Sequence, residues 1–182
     1  MENRPDPDAL LRSIRKTDTK KNEGRLKLFF GMAAGVGKTF SMLSEAHSKI
    51  KQGLNVQVGA LETHGRSETM ALTKDIPWIP QAKIDYRGTM MEEMDTDAII
   101  RAHPDIILVD ELAHTNVPGS KHPKRWQDVF DILANGIDVY STINVQHIES
   151  RKDDVEAITG IVIRETIPDS ILERADNIEV VD

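Results

Sequence analysis

The run Leu28-Phe29-Phe30-Gly31-Met32-Ala33-Ala34-Gly35-Val36-Gly37-Lys38-Thr39 constrains this chain more than any other stretch. An apolar strand enters a glycine-rich turn, and the turn opens a helix on Lys-Thr, which is the pattern of a phosphate-binding loop. The glycines let the backbone curl around an anion. The amides of Ala34 to Thr39 are expected to face phosphate oxygens, and the following helix adds the positive end of its dipole. The nucleotide-binding residues are expected to be Ala33, Ala34, Gly35, Val36, Gly37, Lys38, Thr39 and Phe40. Lys38 should reach the β- and γ-phosphates, and Thr39 should offer its hydroxyl to Mg²⁺, so that ATP and Mg²⁺ are the expected cofactors. One departure stands out. The usual Gly-x-x-x-x-Gly-Lys-Thr spacing places glycine where this chain has Met32, and the glycine falls one step earlier, at Gly31.

The length of 182 residues suits one domain with one substantial core. A net charge of −7 argues against duplex nucleic acid as a partner, because that binding rests on neutralising phosphates with Lys and Arg. Cysteine is absent, which excludes disulfides and thiolate metal sites and fits a reducing compartment. No apolar run approaches the length of a membrane span, and the N-terminus has no signal-peptide core.

Residues 1–24 read as an arm: Pro5-Asp6-Pro7-Asp8 caps a short amphipathic helix carrying Ala9, Leu10, Leu11 and Ile14. Residues 25–182 read as the nucleotide-binding domain, with short apolar runs alternating with helical patterns. Strands are expected at Leu26–Phe30, Leu54–Leu61, Lys83–Tyr86, Asp105–Val109, Ile137–Ile143 and Asn177–Val181. Helices are expected at Gly37–Gln52, Ser67–Lys74, Thr96–Ala102, Lys124–Ala134 and Gln146–Ile158. This alternation predicts an α/β fold, a P-loop NTPase-like doubly wound and mainly parallel sheet flanked by helices.

The second nucleotide signature is Asp105-Ile106-Ile107-Leu108-Val109-Asp110-Glu111. A continuously apolar strand belongs in a sheet buried on both faces, and ligands of open α/β sheets bind at its carboxyl end. Asp110 is expected to join Thr39 in holding Mg²⁺. Glu111 is placed to polarise an attacking water as a general base, although a carboxylate in such a turn also serves as a helix cap. Thr142 or Asn144, closing a later strand, could meet the γ-phosphate or a water by hydrogen bonding. Glu62-Thr63-His64-Gly65-Arg66 follows the second strand and could meet the nucleotide, a partner or neither. Arg125, in the basic run Lys121-His122-Pro123-Lys124-Arg125-Trp126, is expected on a solvated loop face, with an arginine finger as the alternative. The histidines lack tight metal-ligand spacing, and His147 is expected to be a polar loop or helix residue.

Taken together these residues resemble the N-terminal cytoplasmic domain of the KdpD-type, potassium-responsive sensor histidine kinases. The matching segments begin with Arg4-Pro5-Asp6-Pro7-Asp8, the phosphate loop, Glu62-Thr63-His64-Gly65-Arg66 and Tyr86-Arg87-Gly88. They continue with Asp110-Glu111-Leu112-Ala113-His114, Pro118-Gly119-Ser120, His122-Pro123-Lys124-Arg125-Trp126-Gln127-Asp128, Asn144-Val145-Gln146-His147 and Arg164-Glu165-Thr166. The resemblance implies that the early glycine is the family's own form of the loop. It implies an ATP-binding regulatory input domain on the cytoplasmic side of a receptor in the cell membrane. In such receptors a universal-stress-type domain, membrane helices and a kinase core follow, and a response regulator receives the signal. Nothing in this sequence resembles a phospho-acceptor histidine box or a kinase ATP lid, so the chain is not expected to autophosphorylate. It reads either as a piece of a longer receptor or as a short relative. The competing readings are a free-standing phosphoryl or adenosyl transferase on a similar fold and a scaffold with a dead site.

Overall fold

The structure is a computed structural model and describes residues 22–182. The helix expected within the N-terminal arm lies outside the described residues. Among the described residues seven strands and six α-helices follow one another: β1 (Leu26–Gly31), α1 (Lys38–Lys51), β2 (Val56–Ala60), α2 (Ser67–Thr73), β3 (Ala82–Tyr86), β4 (Thr89–Glu93), α3 (Thr96–Ala102), β5 (Ile106–Val109), α4 (Arg125–Ala134), β6 (Asp138–Asn144), α5 (Lys152–Thr159), α6 (Ser170–Arg174) and β7 (Asn177–Val181).

Five strands form one sheet in the order β2-β5-β6-β1-β7, and all four pairings are parallel. The period-2 alternation of a strand sends successive residues to opposite faces, and both faces are filled. Leu26 and Leu28 of β1, Ile107 and Val109 of β5, and Val139 and Ile143 of β6 meet Ile99 of α3, Val129, Ile132 and Leu133 of α4, and Ile171 of α6. On the other face Phe29, Val58, Leu108 and Tyr140 meet Met42, Leu43 and Ala46 of α1. The fold is thus α/β, P-loop NTPase-like and doubly wound.

Helix α1 carries the chain from β1 to the far edge of the sheet along one face. Helix α2 packs beside α1, with Leu72 against the same core, whereas α3, α4 and α6 lie on the other face as the chain steps from β2 through β5 and β6 to β7. Connections after β1 and β6 therefore leave on opposite faces, which opens a crevice at the carboxyl ends of these neighbours.

Three local features depart from expectation. Thr89–Glu93 forms a strand paired antiparallel with β3 in a separate hairpin. Its turn, Arg87-Gly88, has φ of +53° and +80°, the mirror-image turn that suits a two-residue hairpin. The stretch expected as one helix from Gln146 divides into two 3₁₀ turns, Val145–His147 and Glu149–Arg151, before α5. The cause is a bridge between Ile148 and Ile167, whose backbone pairing holds Ile148 extended. Finally, Ser170–Arg174 is a short helix that the sequence reading did not include.

Leu108 is fully buried in the middle of β5. Leu108→Ala is expected to lower stability by about 2–5 kcal/mol, read as a lower urea midpoint with an unchanged m-value.

Candidate functional site

Gly31 ends β1 and is buried. A Cβ placed there would lie 2.8 Å from Lys38 Cδ and 2.8 Å from Val36 Cγ2. The lysine stem therefore passes directly over position 31, and its Nζ donates to the Ala33 carbonyl at 2.9 Å. Met32 points away and is 62% exposed. The room is needed at 31 and not at 32, which gives the early glycine a steric reason.

Beyond it the chain curls through Gly35 and Gly37, with φ of +88° and +101°, a region that only glycine enters cheaply. Gly37 caps α1 without any side-chain hydrogen bond. Among the described residues, no turn or cap hydrogen bond is donated by an amide between Ala33 and Phe40. Unpaired donors at a helix start, added to the dipole, are what an anion requires. Burial pushes the Lys38 ammonium below the usual lysine range. The charges of Asp110 and Glu111 oppose that shift and the charge of Arg66 adds to it.

Asp110 is buried to within 1%. Its Oδ2 accepts from Thr39 Oγ1 at 3.1 Å and from the Glu62 amide at 3.1 Å. Its Oδ1 accepts from the Thr142 hydroxyl and from the Glu111 amide at 3.1 Å. Arg125 Nη1 donates to its backbone carbonyl at 2.8 Å. Thr39 and Asp110 thus present two hard oxygen donors side by side beside the loop. That set fits Mg²⁺, which is usually held by one or two protein oxygens and completed by phosphate oxygens and water.

Glu111 follows in the left-handed region at φ +52°, and its Oε1 accepts from His64 Nε2 at 3.2 Å. His64 is itself left-handed at φ +50°. Two non-glycine residues in a sparsely allowed conformation therefore face each other across the crevice.

A cavity of about 390 Å³ joins these groups. Ala34, Gly35, Gly37, Lys38, Thr39 and Phe40 line it, together with Asp110 and Glu111. Ala33 contributes only its carbonyl to Lys38, and Val36 packs towards Gly31. Thr142 is committed to Asp110 and to the Glu111 amide, which donates to its Oγ1 at 2.9 Å, so it positions the carboxylates. Asn144 lines the cavity and keeps its Oδ1 buried without a hydrogen-bond partner.

The expectation for Arg125 is corrected. It faces neither solvent nor the cavity, being 5% exposed, with Nη2 3.7 Å from Glu93 Oε2. Glu93 also accepts from His114 Nε2 at 2.9 Å and from the Val117 amide at 2.8 Å. Burial alone would raise the Glu93 carboxyl. The bonds from His114 and Val117 and the charges of His114 and Arg125 outweigh burial and hold it below the usual range. Elsewhere in the basic run Lys121 pairs with Asp97 at 2.9 Å and His122 with Asp131 at 2.7 Å, while Lys124 Nζ donates to the Thr115 hydroxyl at 2.6 Å.

Among the cavity residues that sequence reasoning did not propose for the site are His114 and Glu165. Glu165 accepts from the Thr115 amide through its carboxylate and from His147 Nδ1 through its carbonyl, each at 2.8 Å. Their only signal was their presence in the family-like segments.

The model of the KdpD osmosensitive K⁺ channel His kinase sensor domain matches residues 22–182. The chain belongs to this family. It is 51% identical over 98% of its length to the sensor protein KdpD of Clostridium acetobutylicum, and 49% identical over 98% to that of Escherichia coli. It is 51% identical over 93% of its length to the KdpD sensor protein of Mycobacterium tuberculosis. It spans 20%, 20% and 19% of these three relatives. Among the described residues no helix is long and apolar enough to cross a membrane.

Glu93→Gln leaves the buried Arg125 without its countercharge and is expected to cost about 3–5 kcal/mol at pH 7. Because the folded-state pKa of Glu93 lies below its ordinary value of 4.5, its contribution is complete above that pH and is lost as the pH falls below it. The difference between wild type and variant in urea unfolding should therefore narrow in acid.

Proposed function

We propose that the chain is an ATP-binding regulatory input domain of a potassium-sensing two-component sensor histidine kinase. It adjusts the balance of kinase and phosphatase output to a response regulator from the cytoplasmic side of the membrane. The observation that carries this reading is the meeting of the Thr39 hydroxyl with the Asp110 carboxylate at 3.1 Å, beside a loop whose amides await an anion. Near 50% identity to sensor proteins over almost the whole chain supports the receptor context.

Bound Mg²⁺ would supply charge neutralisation at the β- and γ-phosphate oxygens. The chain's residues do the rest. The loop amides and Lys38 would hold the phosphates, and the Thr39 hydroxyl and the Asp110 carboxylate, which meet at 3.1 Å, would hold the cation. Asn144 and Glu111 line the cavity in which a water would approach the terminal phosphate. Hydrolysis is slow under this reading. Arg125 is committed to Glu93 and the Asp110 carbonyl, and Glu111 is engaged by His64. Such a site suits a switch, since nucleotide needs only different affinities for two arrangements of the loops after β1, β2 and β5 to shift the population between them. The partners are the remaining domains of the receptor and, through them, the response regulator.

In calorimetric titration with Mg-ATP, Lys38→Ala should weaken binding by roughly 10–100-fold while circular dichroism stays native. Unchanged affinity would remove the site assignment. Steady-state ATP turnover of the wild type should fall below about 1 s⁻¹, the low end of ordinary enzymes, and Glu111→Gln should lower it further. Fast turnover that depends on an added acceptor would favour the transferase reading instead.

A further inference from the structure

The segment between β2 and α2 carries a cation that the phosphate-loop pattern does not account for. A Cβ placed on Gly35 would lie 3.0 Å from Arg66 Nη2, so the guanidinium rests on the crown of the phosphate loop. It lines the same cavity as Lys38 and Thr39. Among the described residues it has no carboxylate partner, whereas the buried Arg125 is paired with Glu93. Arg66 is exposed, so water satisfies its guanidinium, and that water can be exchanged for an anion seated in the cradle beside it.

Its position is fixed from the acidic side of the crevice. The Glu62 amide donates to Asp110 Oδ2 at 3.1 Å, His64 donates to Glu111 Oε1 at 3.2 Å, and the Arg66 amide closes a turn on the Thr63 carbonyl at 3.1 Å. Arg66 therefore enters the cradle from the end where Asp110 and Glu111 stand, whereas Lys38 enters from beneath the loop, where its Nζ meets the Ala33 carbonyl. A diphosphate can be satisfied by the loop amides, Lys38 and the helix start. A third phosphate extending towards the two carboxylates that line the same cavity would need a further positive charge at that point. The larger countercharge is Mg²⁺, and the one placed by the protein on the loop's crown is Arg66.

We propose that Arg66 binds the terminal phosphate of the nucleotide and sets the preference of the site for triphosphate over diphosphate. This rests on the nucleotide-binding reading above. The segment Glu62–Arg66 thereby reports the phosphorylation state of the nucleotide to the strand end carrying Asp110 and Glu111.

The test is calorimetric titration of the whole chain with Mg-ATP and separately with Mg-ADP, on wild type, Arg66→Ala, Arg66→Lys and Lys38→Ala. Thermal unfolding of each variant serves as the fold control. Arg66→Ala should weaken Mg-ATP about tenfold or more while changing Mg-ADP by less than about threefold. Arg66→Lys should restore part of the loss, and Lys38→Ala should weaken both nucleotides. Equal losses for the two nucleotides in Arg66→Ala, or no loss for either, would overturn the assignment while leaving the nucleotide-binding reading intact. Failure of the wild type to bind either nucleotide would overturn both.

Discussion

A carboxylate with 1% of its surface exposed must be surrounded by hydrogen-bond donors, because burying its oxygens unpaired is costly. Asp110 meets that demand by drawing in separate parts of the chain. The start of α1 sends the Thr39 hydroxyl, the end of β2 sends the Glu62 amide, β6 sends the Thr142 hydroxyl, and the first turn of α4 sends the Arg125 guanidinium to its carbonyl. Strand β5 thus places one charge where these segments converge. The distance between the loop that would hold phosphate and the carboxylate that would hold the cation is set by how well this one group is satisfied. Asp110 is also coupled beyond the crevice, because Arg125 leans on Glu93 at the end of the β3–β4 hairpin. A displacement of the hairpin would be felt at Arg125 and then at the Asp110 backbone.

The sheet order explains why these segments can converge. Strand β6 lies between β1 and β5, so the loop strand and the carboxylate strand do not touch, and Thr142 fills the gap between them. The crevice sits where consecutive connections leave on opposite faces, and there backbone ends are free to bind without disturbing either core. Of the four left-handed non-glycine residues among those described, Arg87 sits in the hairpin turn and His103 at the end of α3, and the other two meet at this end. His64 and Glu111 occupy left-handed conformations in mutual contact, and Gly35 and Gly37 supply the positive φ that the loop requires. A domain built to change state is expected to keep its strained residues in such loops and its regular residues in the sheet.

The parts legible in the sequence were those whose signal is local. The apolar runs of β1 and β5, the glycines with Lys38-Thr39, and the paired Asp110-Glu111 each announce strand, turn or helix within a few residues, and the structure places them within one cavity. What escaped was set by distant partners. Arg125 sits in a basic run that reads as solvated, and its burial depends on Glu93, 32 positions earlier in the numbering. Thr89-Met90-Met91-Glu92-Glu93 has few strand-favouring residues, and only the Arg87-Gly88 turn could have revealed the hairpin. Residues from Gln146 onward carry a helical pattern, but the bridge from Ile148 to Ile167 prevails over it. The early glycine departs from the usual spacing in the form the family resemblance implies, and the Lys38 stem lying across it supplies the steric reason that the sequence does not show.

The central claim is that nucleotide enters this cradle and orders the loops around Asp110. Amide hydrogen exchange, followed by mass spectrometry with and without Mg-ATP, tests it most directly. Strong added protection is expected in Ala33–Phe40 and Leu61–Arg66, with the cores of β5 and β6 unchanged because they are already closed. Protection that is absent from both loops, or that appears only on surfaces remote from the cavity, would contradict the account.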